Sequence, residues 1–214
     1  MTITADQLKQ LCPKLNPTRI NNLVSAFNIV CPLYGINTAD IFHEFIANLC
    51  EESGEFTRYE ENLNYSTADR LMAVWPKRFP SWKDAQLYVN NPKGLAMKVY
   101  GRRKDLGNIT DEDGWLFRGA GPIQITGRQN FTEFALWMRK KFNILKTPED
   151  WAQILRSSDE YGLHSACWIF AISKKLIDEA ERDEMKTIVI RINGGLTNYP
   201  QRLKYYELAK KYIV

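Results

Sequence analysis

"TADIFHEFIANLCEESGEFTRYEENLNYS", residues 38 to 66, changes character halfway along. Ile41, Phe42, Phe45, Ile46, Leu49 and Cys50 recur at spacings of three and four, the period of a helix with one apolar face. Thr38 is placed to cap its first turn. After Cys50 come five glutamates within eleven positions, Glu51 to Glu61, around Ser53, Gly54 and Asn62. Glu52 follows Phe45 by seven residues, and seven steps of about 100° return to within roughly 20° of the starting direction. It therefore leaves from the apolar face, at the C-terminal end of the helix. Desolvation and the negative end of the helix dipole both act against a charge there, the setting in which a glutamic acid serves as a general acid. The plainer reading is a helix-end charge paired with Arg58 or a lysine. Glu60 and Glu61 lie in a polar stretch that favours the ionised form. An acid facing a carboxylate is the pair that cleaves a glycosidic bond.

Outward from this stretch, helix signals dominate. Asn16-Pro17 caps and opens a stripe through Ile20, Leu23, Phe27 and Val30 that ends before Gly35. Ser66 with Asp69 starts a short helix stopped at Pro76, and Ser81 starts another. Residues 91 to 121 hold six glycines, which predicts a loop-rich region. "PIQIT", 122 to 126, reads as a short strand. Helices are expected at about 128–142, after Thr147-Pro148, near 159–172, and from Pro200 to the end. "TIVIRI", 187 to 192, is β-branched, but its surroundings favour helix. No repeat or linker interrupts the chain. One mainly α domain spans 1–214, with a helical N-terminal part to about residue 35 and a smaller lobe or cleft wall at about 60–120.

At 214 residues with 44% apolar and 25% charged residues, the chain can bury a substantial core. The net charge of +4 is too small, and too scattered, for a nucleic-acid binder. Cys12, Cys31, Cys50 and Cys167 form no CxxC pair, and His43 and His164 complete no zinc-ligand pattern with them, so no metal site is expected. Cys31 and Cys50 fit buried thiols, a disulfide being the lesser alternative. The start "MTITADQLKQ" has neither a basic leader nor an apolar core, and the longest apolar run, "ACWIFAI", cannot span a bilayer. The expectation is a cytoplasmic protein without membrane insertion.

Four blocks, "FIANLCEESGEFTRYEENLNYS", "KDLGN", "DGWLFRGAGPIQITGRQNF" and "INGGLTNYPQRLKYY", stand in the order found in glycoside hydrolase family 19. The chain resembles that family from about residue 40 onward, above all its bacteriophage endolysins and the bacterial chitinase-like proteins related to them. The resemblance implies a lysozyme-like fold, with a larger helical lobe and a smaller lobe flanking a substrate groove. It implies hydrolysis of β-1,4 bonds between amino sugars of peptidoglycan, by inversion and without cofactor or metal. The protein would act as a monomer on a polysaccharide, held in the host cytoplasm until released to the wall. A chitinase, or a non-catalytic carbohydrate-binding relative, are the alternatives. Residue by residue, the resemblance makes Glu52 the general acid, Glu61 the second carboxylate and Thr126 a holder of the attacking water. It makes Gln124 and Asn193 sugar contacts and Arg202 a support of the carboxylates. The family's first block has His where this chain has Glu51. Tyr100 and Trp115 are candidate sugar platforms, with core aromatics as the alternative.

Overall fold

Side-chain caps set where the helices begin. In the computed structural model, which describes residues 1–213, Thr4 and Gln7 form a reciprocal capping box ahead of α1 (Ala5–Leu11). Asn16 accepts from the Arg19 N–H to open α2 (Pro17–Val30). A tight turn over Cys31–Tyr34 then ends in Gly35 at φ +77°. Thr38 caps α3 (Ala39–Ser53) as expected. There follow α4 (Ala68–Val74), α5 (Trp82–Gln86), α6 (Pro92–Tyr100) and α7 (Glu112–Leu116). The remaining helices are α8 (Arg128–Phe142), α9 (Pro148–Ile154), α10 (Asp159–Cys167), α11 (Ile177–Glu181), α12 (Met185–Asn193) and α13 (Tyr199–Tyr212). The chain is mainly α, 63% helical, with no sheet among the described residues.

Three local readings shift. α4 is capped by Thr67 rather than Ser66, its hydroxyl accepting from the Arg70 N–H. α10 stops at Cys167 and continues as a wider π-turn over Trp168–Ser173. "PIQIT" is a reverse turn, not a strand: the Gln124 N–H reaches the Gly121 carbonyl at 3.1 Å. Pro122 has no N–H to give a ladder, and Gln124 sits in the left-handed region at φ +58°. "TIVIRI" is helical, inside α12.

Two compact units divide the chain, one of 1–59, 121–124 and 154 onward, the other of 60–120 and 125–153. The second unit holds α4 to α8 and most of α9. In the first unit α3 lies along α13, and α2 packs on α10. Phe27 meets Phe42 and Phe56 edge-on at 5.5 and 5.6 Å, and Phe45 meets Phe170 at 5.2 Å. The four cysteines are buried free thiols in two pairs, Cys12 with Cys50 at 3.8 Å and Cys31 with Cys167 at 3.9 Å. In the second unit Leu63, Leu71, Phe79, Leu95 and Val99 form the core. Its glycine-rich part is tied down by Asp113, which accepts from the Ile109 N–H (2.7 Å), the Thr110 hydroxyl (3.0 Å) and Arg128 (2.7 Å). Burial alone would push Asp113 upward, but these donors hold its carboxyl well below the usual range.

One buried acid sets a pH dependence. Glu44, on α3, is fully buried. Burial, reinforced by the Asp183 carboxylate and only partly opposed by Lys210, pushes it up to about 8. The folded protein therefore holds a proton there that the unfolded chain releases near its ordinary value of 4.5. Such a group favours folding at acid pH, and its contribution is lost as pH rises from about 4.5 to about 8. The loss amounts to roughly 5 kcal/mol, at about 1.4 kcal/mol per unit. Glu44→Gln is expected to raise the unfolding midpoint in urea at pH 8 and leave it nearly unchanged at pH 4.5. Equal shifts at both pH values would show that Glu44 is not the titrating group.

Candidate active site

Glu52 stands in the last turn of α3, 19% exposed at its side chain. The helix register brings it to the edge of the first unit's core, as the spacing required. A cation waits there: Arg202, on α13, donates from Nη2 to Glu52 Oε1 at 2.6 Å. Arg202 is 2% exposed, and its other donors reach the Asn48 side-chain oxygen (3.0 Å) and the Thr197 carbonyl (3.2 Å). The sequence left Glu52 facing an apolar face alone or a surface cation. The structure gives it a buried guanidinium.

Glu51 turns aside and accepts from the Asn198 side chain at 2.7 Å. α3 ends in an unusual way. Gly54, Glu55 and Phe56 all lie in the left-handed region, at φ +57°, +59° and +60°. Only glycine adopts it without penalty, and each other residue costs about 1–2 kcal/mol. The strain is held by the surroundings. Phe56 is buried and its N–H donates to Ser53 Oγ at 2.7 Å, while Glu55 accepts from Tyr205 at 3.0 Å. This bend directs the chain out of the helix immediately after Glu52.

Glu61 belongs to the second unit. Its backbone N–H donates to the Gly119 carbonyl at 3.0 Å. The Gly119 N–H returns a bond to Glu61 Oε2 at 3.1 Å, and the Tyr100 hydroxyl donates to Oε1 at 2.6 Å. Both carboxylate oxygens are thus held in a fixed plane. Burial, with the Glu61 carboxylate beside it, pushes the Tyr100 phenol well above the ordinary range, so Tyr100 remains a donor. Glu60 instead pairs with Arg118, whose guanidinium stacks 3.5 Å from the Trp115 ring centre. A cavity of about 310 Å³ opens beside Glu60, Glu61, Asn62, Asn64, Pro92 and Trp115.

Of the candidate sugar contacts, Tyr100 and Trp115 are partly buried and pack against the second unit's core. The Gln124 amide folds onto the carbonyl of Gly121 at 2.8 Å. Thr126 follows that turn, its carbonyl accepting from Asn130 at 2.8 Å. Asn193 ends α12, where Gly194 at φ +75° makes a left-handed cap. Two supports went unread in the sequence. Asn48 carried a signal, a polar residue within the apolar run "FIANLC". The Gly119 N–H carried none, since its partner is 58 residues away. No group of three or more His, Cys, Asp or Glu among the described residues could hold a metal ion.

Comparison with known proteins adds a relative in sequence and several in structure. The chain is 35% identical over 162 residues to a "Glycosyl hydrolase family 19 domain-containing protein" of Haemophilus influenzae, covering 76% of this chain and 74% of the relative. No family model matches. A solved bacterial family 19 chitinase superposes with TM-score 0.62 at 15% identity, over 100% of this chain and 96% of the other. Chitinase C from Streptomyces griseus superposes with TM-score 0.60 at 13% identity, over 98% of this chain and 76% of the other. At such identities the superpositions speak to fold alone, the mainly helical, lysozyme-like fold that the sequence implied.

Proposed function

The chain belongs to glycosyl hydrolase family 19, and on that premise we propose that it cleaves β-1,4 bonds between the amino sugars of bacterial peptidoglycan, by inversion. It is a glycoside hydrolase. Glu52 is the general acid, giving its proton to the leaving oxygen. Glu61 is the base that takes a proton from the attacking water, which Thr126 steadies. Gln124, Asn193 and Trp115 contact the sugar chain. Tyr100 serves chiefly by holding Glu61.

The observation that carries this reading is the contrast between the two carboxylates. Glu52 meets a buried cation, Arg202, at Oε1. Glu61 meets a donor at each oxygen, from Tyr100 and Gly119. Neither of those donors competes for the role of base. Arg202 also suits an acid that must end its step as an anion: as the proton leaves, the new charge forms opposite a guanidinium already in place. The resemblance of the Glu52, Glu61 and Thr126 blocks to endolysins supports peptidoglycan as the polymer. Chitin is the second reading, because the solved structures of like fold are chitinases.

A zymogram of purified walls run beside colloidal chitin tests the choice. Clearing of walls with new reducing ends, at a rate at least tenfold above that on chitin, is expected. Clearing of chitin alone would make the protein a chitinase. Binding to both without new reducing ends would leave it a carbohydrate-binding relative.

A further inference from the structure

Glu44, Asn48 and Glu52 follow one another at four-residue steps along α3, drifting by only about 40° per step along one edge of the helix. Asn48 is 1% exposed. A carboxamide buried in an apolar run must have partners for both its ends. Its Nδ2 donates to the Glu44 carbonyl at 2.9 Å and lies 3.7 Å from Met185 Sδ. Its Oδ1 accepts from Arg202 Nη1 at 3.0 Å. A guanidinium has donors only, so the amide cannot be turned the other way. Arg202 thus has three acceptors, two on α3 and one in the turn before α13, and Glu52 alone among them is ionisable.

We infer that Asn48 is a positioning residue for the reaction, a neutral clamp that aims Arg202 at Glu52 without neutralising it. The inference rests on Glu52 being the general acid. The clamp's chemistry follows from what each alternative would do. With no acceptor at position 48, Nη1 is left buried and unpaired, and the guanidinium tilts to find a partner. With a carboxylate there, the cation is shared between two anions and its pull on Glu52 weakens. A carboxamide satisfies the N–H and leaves the whole charge facing Glu52. The Glu44 carbonyl and Met185 in turn fix the amide, so the aim of Arg202 is set by α3 itself, one turn before the acid.

Two substitutions test it. Asn48→Leu keeps the shape and removes the acceptor. It is expected to lower kcat by about 10–100-fold, the rate equivalent of leaving one buried donor unpaired, with KM within about twofold. Asn48→Asp keeps the acceptor and adds charge. It is expected to regain part of the lost kcat and to move the alkaline limb of kcat/KM to higher pH, since Glu52 then gives up its proton less readily. A merely structural role would lower the melting temperature in both variants and move neither limb. If Asn48→Leu does not fold, the pH profile of Asn48→Asp decides alone. Superimposable profiles for Asn48→Asp and wild type would overturn the inference. Glu52→Gln run in parallel separates the failures: if that variant stays active, the assignment of Glu52 falls, and the clamp falls with it. If it is dead while the Asn48→Asp profile is unmoved, the clamp alone is wrong.

Discussion

Glu52→Gln is expected to lower turnover on cell walls by about 10²–10⁴-fold, the span typical of general acid–base assistance. The amide keeps the shape and still offers Arg202 an oxygen, but it has no proton of suitable acidity to give the leaving group. Stability should fall as well, because Arg202 is buried and Glu52 is the one ionisable partner among its acceptors. Removing one member of a buried pair can cost about 3–5 kcal/mol, less here because Glu52 is partly exposed and the oxygen remains. Circular dichroism should therefore show a folded protein at the assay temperature with a reduced melting point. Saturating kinetics on soluble wall fragments would check the rate. A variant retaining more than one-tenth of wild-type kcat would remove Glu52 from the role of acid.

Glu61→Gln carries an expected loss of similar size, for a different reason. The side chain has two donors to satisfy, the Tyr100 hydroxyl and the Gly119 N–H. A carboxamide has one acceptor oxygen, so one donor must face an NH₂ group. The variant thus loses the base and disturbs its setting, at an added cost of about 1–3 kcal/mol for the unpaired donor. The neighbouring glutamate supplies the control. Glu60 pairs with Arg118 and sits beside the same cavity. If Glu61 is the base, Glu60→Gln should stay within a few-fold of wild type, while Glu61→Gln falls by about 10²-fold or more. A reversal of that order would transfer the role to Glu60.

These assignments show how much the residues alone could say. The period of α3 placed Glu52 at the core's edge, because a seven-residue return on a helix leaves little freedom. The caps at Asn16, Thr38 and Ser81 were legible for the same reason: their hydrogen bonds join residues three apart. What failed was conformation set from outside the segment. "PIQIT" alternates like a strand, yet Pro122 and the left-handed Gln124 make it a turn. Which partner each carboxylate takes was equally hidden. Arg202 lies 150 residues from Glu52 and Tyr100 lies 39 from Glu61. Arg202 entered through the family resemblance, and Tyr100 was expected to touch sugar rather than carboxylate. No local pattern encodes a pairing made across that length of chain.

The anomeric configuration of the first-formed product is the most direct test of the mechanism. An acid and a base acting on opposite faces of the sugar deliver water by a single displacement and invert the reacting carbon. From a β-linked wall oligosaccharide, wild-type enzyme should release the α-anomer with an ordinary reducing end. Proton NMR recorded during the first minutes of a digest would show it before mutarotation mixes the two forms. An initial α-anomer is the result expected of Glu52 as acid and Glu61 as base. An initial β-anomer would mean a covalent intermediate and retention, and an anhydro-sugar would mean that no water attacks at all. Either would contradict the account.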